Sequence, residues 1–213
     1  MGRTNPANTR RVVVRLFVSS VLVLLVLSMT SCGIESSPEL PEPSPSPSAP
    51  KEGSTVFVIS SPAFETGGVI PVEYANTGYP GGENISIPYE WSGAPDGTAS
   101  FALLLVDRAP RANSWVHWLV TGIPSNARAL DRDASGTDTM PSGSVEHVNS
   151  FGKLGYGGPQ PPPGTGKHEY EAVLYALDSG VSPVPQRATL AEFTRAIDGH
   201  VLATASCSGL LGR

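Results

Sequence analysis

Residues 155–167 form a loop that could bind a small polar ligand. The loop contains four prolines and five glycines, and it leads into His168 and Tyr170 at the start of an apolar run. Prolines stiffen such a loop and glycines allow positive φ, so its backbone N–H groups could turn towards a small anion. Because side chains alternate along a strand, His168 and Tyr170 are expected on the same face. This arrangement predicts a small polar pocket.

A second histidine lies in the middle of the apolar run 115–120. Strict alternation divides this run into two faces, with Trp115, His117 and Leu119 on one and Val116, Trp118 and Val120 on the other. A histidine buried in such a strand needs hydrogen-bond partners, because an unpaired polar group costs free energy on burial. Two interpretations stay open: His117 is a structural histidine, or it joins His168 in one pocket.

Short β-rich runs must position these side chains. Gly/Pro turns separate six of them: residues 55–60, 70–74, 85–91, 100–106, 115–122 and 170–177. Their number and spacing predict a mostly β fold, an antiparallel β-sandwich. One helix is predicted from the capping box that starts at Thr189 to the stop at Gly199, and a last strand over residues 200–207.

The start of the chain has the composition of an export signal. Residues 1–31 carry four arginines and no acidic residue, and an apolar run precedes small residues and Cys32. This order predicts a signal peptide. The sequence around Cys32 resembles the bacterial lipoprotein signal, in which that cysteine is lipidated and becomes the mature N-terminus. The alternative is an uncleaved membrane anchor over residues 12–29.

Residues 32–54 are rich in Pro, Ser and Glu and predict a disordered linker. The folded domain is then expected over residues 55–213, tethered to the cell membrane and facing its extracytoplasmic side. Removing residues 1–31 leaves 10 basic and 19 acidic residues, a net charge of −9. Such a balance disfavours nucleic acid as a partner. If Cys32 is lipidated, Cys207 has no disulfide partner, because these are the only two cysteines.

Seven separated blocks resemble the phosphatidylethanolamine-binding protein family, especially its bacterial branch related to kinase-inhibitor proteins. They follow the family order from about residue 57 to residue 208: Ser61-Pro62-Ala63-Phe64 with Ile70-Pro71, Trp91-Ser92-Gly93-Ala94-Pro95, Ser100-Phe101-Ala102-Leu103, Trp115-Val116-His117-Trp118, Asn149-Ser150-Phe151-Gly152 through Tyr170, Leu174-Tyr175-Ala176-Leu177-Asp178 and Gly199-His200-Val201-Leu202-Ala203. The resemblance implies two antiparallel sheets, a few peripheral helices and a shallow anion pocket at one end. The implied pocket residues are Asp107, His117, Pro161, Pro162, His168 and Tyr170. The implied ligand is phosphate or a phospholipid head group, with no cofactor.

The segment before the second histidine departs from the family pattern. The family commonly shows Asp-Pro-Asp-Ala-Pro, whereas this chain reads Val106-Asp107-Arg108-Ala109-Pro110. Either Asp107 or Arg108 could therefore enter the pocket. An arginine in place of a carboxylate would favour simple phosphate-like or carboxylate anions over zwitterionic head groups. A bound anion should also raise the pKa values of both pocket histidines.

Three classes of function remain open from the sequence. The favoured class is a non-catalytic binding module, and the second is an inhibitor or regulator of a protease or kinase, for which a protein partner stays unidentified. An enzyme is not predicted, because the chain has no Gly-x-Ser-x-Gly elbow and no histidine pair at metal-ligand spacing. We expect His147 to be solvated in a polar loop, His200 to make a structural hydrogen bond, and Cys207 to be buried.

Overall fold

The computed structural model describes residues 56–179 and 183–213. The predicted signal 1–31, Cys32 and the predicted linker 32–54 lie outside these residues. Within the described part of the chain, no helix is long and apolar enough to span a membrane.

Two antiparallel sheets form the fold, as the sequence predicted. The eight strands are β1 (Val58–Ser60), β2 (Tyr89–Ser92), β3 (Ser100–Asp107), β4 (Val116–Pro124), β5 (Ala129–Leu130), β6 (Val145–Glu146), β7 (Lys167–Leu177) and β8 (Val201–Gly212). The smaller sheet has the order β1-β2-β5, and the larger sheet has the order β6-β4-β3-β7-β8. Each strand pairing is antiparallel.

Strand β3 lies at the centre of the larger sheet, and all eight of its residues are buried. One face of the strand carries Phe101, Leu103 and Leu105 into the core that includes residues of the smaller sheet. The other face packs into a second cluster with Leu119 and the helix residue Phe193. Strand β3 is thus covered on both faces, and its C-terminal end supplies Asp107, the first polar residue of the candidate site.

The helix α1 (Leu190–Ile197) covers the outer face of the larger sheet. Its N-terminus is the predicted capping box, in which Thr189 Oγ1 accepts from the Glu192 N–H and the Glu192 carboxylate accepts from the Thr189 N–H. His200 Nδ1 lies 2.9 Å from Asp178 Oδ1, and Cys207 is buried. The predictions for the helix, for His200 and for Cys207 are confirmed.

The prediction of a strand over residues 70–74 is wrong. Residues Val72–Tyr74 form a single turn of 3₁₀ helix, in which the Tyr74 N–H donates to the Pro71 carbonyl. Pro71 fixes its own φ and has no N–H for a strand ladder, so the chain turns here despite its apolar residues. The predicted strand 85–91 is likewise shortened to β2, because the Ile85 N–H bonds back to the Glu73 carbonyl instead of a neighbouring strand.

Candidate functional site

Strand register brings polar side chains together at one end of the larger sheet. Asp107 is the last residue of β3, and it pairs directly with Tyr170 of β7. His168 precedes Tyr170 by two residues on the same strand, so it shares a face with Tyr170 and lies diagonally across from Asp107. The His168 and Tyr170 rings stack with their centroids 6.3 Å apart. The predicted common face of these two residues is therefore confirmed.

His117 reaches the same place through a β-bulge in β4. Leu105 pairs with Trp118 and the next residue, Val106, pairs with Val116, so His117 is the extra residue on its strand. A bulge breaks the alternation of side chains. The predicted division of residues 115–120 into two faces is consequently wrong: Trp118 and Val120 enter the inner core, whereas Val116 and Leu119 pack on the outer face. The His117 ring meets the edge of Tyr170 at 5.1 Å between centroids.

Asp107 and His168 form a buried ion pair. Asp107 Oδ2 lies 2.7 Å from His168 Nδ1, and Asp107 Oδ1 accepts from the Ala109 N–H at 2.8 Å. On the other side of the ring, Thr165 Oγ1 donates its single proton to the Pro162 carbonyl and lies 2.9 Å from His168 Nε2. The imidazole must therefore donate to Thr165 as well as to Asp107. Donation from both ring nitrogens is the pattern of an imidazolium.

His117 has the opposite character. Its Nδ1 lies 2.6 Å from the Gly157 carbonyl oxygen, so Nδ1 carries the proton. Burial lowers the pKa of His117 to about 4, against the opposing influence of the Gly157 carbonyl and of Asp107. At neutral pH the ring is uncharged, and its Nε2 atom holds a lone pair. The two histidines of the site are thus different groups: one donates at both ends, and the other donates at one end and accepts at the other.

Tyr170 lies beneath both histidine rings. It is 1% exposed, and its hydroxyl oxygen is buried without a hydrogen-bond partner among the described residues. Burial and the nearby Asp107 carboxylate raise the pKa of Tyr170 far above its usual value. The phenol therefore stays protonated, and its O–H has no acceptor among the described residues.

An open hollow of about 530 Å³ lies above these residues. Of the six residues predicted for the pocket, four line the hollow: Asp107, His117, Pro162 and His168. Tyr170 and Pro161 do not line it; both are buried behind it. The remaining lining residues are Arg111, Ala112, Trp115, Phe151, Gln160 and Thr165.

The Gly/Pro loop builds the wall of the hollow, but its backbone is not an anion cradle. The N–H of Gly157 donates to the His117 carbonyl, and the N–H of Gly158 donates to Asn84 Oδ1. The N–H groups of Gly155, Tyr156, Gly164 and Thr165 also bond to protein groups. The expectation of inward-facing N–H donors is wrong for these residues. The loop instead holds the side chains of the site in place.

Gly158 shows why this loop needs a residue without a side chain. A Cβ atom at this position would overlap the Tyr74 carbonyl oxygen and the Asn76 N–H nitrogen. The close approach lets the Pro159 carbonyl accept from the Asn76 N–H at 3.0 Å. The loop is thereby fastened to the segment that follows the 3₁₀ turn.

Arg111, and not Arg108, supplies the cationic side chain of the hollow. Arg108 Nε lies 2.6 Å from Glu171 Oε2 on the exposed face of the sheet, outside the hollow. The two open alternatives are therefore resolved in favour of Asp107. Arg111 belongs to a short 3₁₀ turn between β3 and β4, and within the described residues it makes no ion pair. The sequence could have predicted that Arg111 lies near the site, because Arg111 is in the connection between β3 and β4 and both strands contribute site residues.

Two aromatic rings missed by the sequence interpretation border the hollow. Trp115 and Phe151 meet edge to face at 5.3 Å between centroids, and Phe151 also meets the His117 ring at 5.6 Å. Trp115 is 39% exposed, so part of its ring faces solvent at the edge of the hollow. The signal for both residues was their place in the family-like blocks around His117 and around the loop.

Other polar groups of the fold have structural roles. His147 is buried, contrary to the expected solvated position: Nδ1 lies 3.0 Å from the Pro185 carbonyl and Nε2 lies 2.9 Å from Thr121 Oγ1. A larger groove of about 1080 Å³ lies beside α1. The polar groups at the N-terminus of this helix are already hydrogen-bonded to each other, because Thr189 and Glu192 form the capping box there. In the described residues, no three His, Cys, Asp or Glu side chains gather as a metal site requires.

Comparison with known proteins decides the family. Residues 60–211 match the sequence profile of the phosphatidylethanolamine-binding protein family. The chain belongs to this family. A UPF0098 protein of Methanothermobacter thermautotrophicus is 38% identical over 151 residues, which cover 71% of this chain and 95% of that protein. The family resemblance of the sequence blocks is thus confirmed.

A solved structure and a further relative agree with this assignment. The crystal structure of YbcL from Escherichia coli, described as a member of the mammalian family, superposes with a TM-score of 0.67 at 33% identity and covers 72% of this chain and 96% of its own. A protein of Mycobacterium tuberculosis, provisionally named the lipoprotein LppC, is 33% identical over 181 residues, which cover 81% of this chain and 84% of that protein.

Proposed function

We propose that this phosphatidylethanolamine-binding protein family member is a membrane-tethered, non-catalytic binding protein that holds a small oxyanion in the hollow beside His168. The ligand is phosphate or the phosphate group of a phospholipid head group. The observation that carries the proposal is the balance of charge in the site, where Asp107 is paired with His168 and Arg111 makes no ion pair among the described residues.

Among the residues that the structure describes, Asp107 is the only acidic side chain that lines the hollow. Both of its oxygens accept hydrogen bonds from the protein itself, so its charge is matched by the His168 imidazolium. Arg111, which makes no ion pair with the residues described, then contributes a positive charge at the rim. A ligand oxygen that takes the place of Thr165 Oγ1 would receive the His168 Nε2–H, which supports binding of an anion.

The same contacts favour holding a ligand over chemistry. Within the described part of the chain, the only hydroxyl that lines the hollow belongs to Thr165, and its proton goes to the Pro162 carbonyl. His168 Nε2 lies 2.9 Å from this hydroxyl, but it donates to the oxygen in this arrangement and so does not act as a base that would make Thr165 a nucleophile. The Asp107–His168 contact accordingly acts as an orienting and charge-balancing pair for a bound ligand.

Tethering rests on the sequence and on one relative. The predicted signal and Cys32 have the order of a lipoprotein signal, and the Mycobacterium tuberculosis relative carries the word lipoprotein in its provisional name. We propose that Cys32 is lipidated and that the folded domain faces the extracytoplasmic side. Metabolic labelling with a palmitate analogue tests this step, since Cys32→Ala should abolish the label.

Substitution Arg111→Gln should weaken phosphate binding about tenfold, because it removes a charged donor worth roughly 1.5 kcal/mol at an exposed rim. Isothermal titration of the full-length protein in detergent measures the effect. The matched control is Arg108→Gln, which removes an arginine paired with Glu171 outside the hollow and should leave the affinity unchanged. The reverse ranking of the two variants would contradict the proposed site.

Phosphoethanolamine should bind no more tightly than inorganic phosphate. The sequence suggested this preference through Arg108, and the contacts of Asp107 support it for a different reason: this buried carboxylate is already paired with His168 and the Ala109 N–H, so an ammonium group would have to compete for it. Competition titration of the two ligands at equal ionic strength measures the preference. Clearly tighter binding of phosphoethanolamine would show that another group recognises the amine.

A further inference from the structure

We propose that His117 makes the hollow selective for oxyanions that carry a proton, such as hydrogen phosphate or a phosphomonoester monoanion, over fully deprotonated oxyanions such as sulfate. This inference rests on the proposed function, because it concerns the same site. In this inference His117 determines the ligand specificity of the hollow, and it recognises the proton on the oxyanion.

The orientation of the ring is fixed on three sides. Nδ1 is held by the Gly157 carbonyl at 2.6 Å, and the ring lies between Tyr170 at 5.1 Å and Phe151 at 5.6 Å. The hydrogen bond also fixes the tautomer, since a carbonyl oxygen only accepts. The ring therefore cannot turn to present Nδ1–H to a ligand.

The Nε2 atom is the one that remains available. It has no hydrogen bond within the described residues, and it is absent from the buried polar atoms that lack a partner, which are Trp91 Nε1, Ser144 Oγ and Tyr170 Oη. Because His117 lines the hollow, Nε2 is the polar atom of this ring that a ligand in the hollow can contact. In the neutral ring this atom is an acceptor.

The groups around His117 keep it neutral over a wide pH range. Asp107 of β3 favours the charged ring, but Asp107 is matched by His168 of β7, whose positive charge disfavours it. Tyr170 of β7 is a neutral phenol, and Arg111 at the rim adds a positive charge to the hollow. Burial of the ring is the dominant influence, and it lowers the pKa of His117 to about 4.

A lone pair aimed at a ligand oxygen has opposite effects on the two kinds of anion. Hydrogen phosphate can direct its P–O–H group to Nε2 while its unprotonated oxygens face Arg111 and the His168 donor. Sulfate has no proton to give, so an oxygen beside Nε2 meets lone-pair repulsion and leaves the acceptor unsatisfied. A site built around a hydrogen bond rejects an analogue that lacks the matching proton.

The test is isothermal titration of the full-length protein in detergent with inorganic phosphate and with sulfate at equal ionic strength. At about pH 8, where phosphate keeps one proton, phosphate should bind at least roughly tenfold more tightly. The sulfate affinity should rise as the pH falls, because sulfate binds the protonated ring. Titration in buffers of different ionisation enthalpy should then show uptake of a proton with sulfate and not with hydrogen phosphate.

The variant His117→Gln supplies the matched comparison. A glutamine amide offers a donor or an acceptor by rotation, so the variant should bind both anions with similar affinity. If the variant does not fold, the proton-uptake measurement on the unaltered protein still decides. Equal affinities at about pH 8 without proton uptake would overturn the role of His117 and leave the oxyanion site standing. Binding of neither anion would overturn the proposed function together with this inference.

Discussion

Substitution Asp107→Ala is expected to lower the free energy of unfolding by about 3–5 kcal/mol, the cost of removing one partner of a buried ion pair. Asp107 is 5% exposed, and its carboxylate accepts from both His168 and the Ala109 N–H. Without it, His168 loses the partner of Nδ1 and the Ala109 N–H loses its acceptor. Urea unfolding followed by tryptophan fluorescence measures the change.

Two further variants test whether the loss of stability comes from the Asp107–His168 pair. Asp107→Asn should cost less than Asp107→Ala, because an asparagine N–H can donate to Nδ1 of a neutral His168 while its oxygen still accepts from Ala109. Arg108→Ala, one residue along the chain, breaks only a partly exposed pair with Glu171 and should cost at most about 1 kcal/mol. Equal effects of Asp107→Ala and Arg108→Ala would mean that the Asp107–His168 pair does not stabilise the fold.

Local sequence patterns were sufficient to predict the structure where the chain forms a regular helix or strand. The capping box of α1 is fixed by residues three apart, and His168 shares a face with Tyr170 because β7 is regular between them. The apolar run 70–74 failed because the pattern of apolar residues is the same for a strand and for a buried turn. Pro71 has no backbone N–H to donate to a neighbouring strand, and this favours the turn over the strand.

The site itself depended on pairings between distant segments. His117 turns towards Tyr170 because β4 has one residue more than β3 between their paired positions, and such a bulge is a property of two strands together. The choice between the two arginines likewise depends on the connection after Asp107. There the chain makes a 3₁₀ turn and then holds Asn113 and Ser114 at positive φ, which places Arg111 at the hollow.

The family resemblance predicted which residues form the pocket, but it did not predict which nitrogens of His117 and His168 carry protons. It treated the two histidines as equivalent donors, whereas their hydrogen bonds make them different. Thr165 and Asp107 both accept from His168, while the Gly157 carbonyl takes the only proton of neutral His117. Proton positions follow from the partners of each nitrogen, and the partners of His117 and His168 come from separate parts of the chain.

Protonation of His117 should make the folded protein lose about 3 kcal/mol of stability as the pH falls from neutral to about 4. The pKa of this histidine is 6.5 in an ordinary environment and about 4 in the folded protein, chiefly because of burial. Between these values the unfolded chain binds a proton that the folded protein does not. The contribution is therefore complete above about pH 6.5, and it is lost as the pH falls through the folded pKa.

The measurement compares the pH dependence of urea unfolding for the unaltered protein and for His117→Gln. Carboxylates and His147, whose pKa burial also lowers, titrate in both proteins and cancel in the difference. The variant should therefore lose less stability than the unaltered protein between neutral pH and about pH 4. Parallel curves would show that His117 is not held neutral in the fold. The same result would remove the acceptor on which selection of protonated oxyanions depends, so stability and specificity are two consequences of one buried ring.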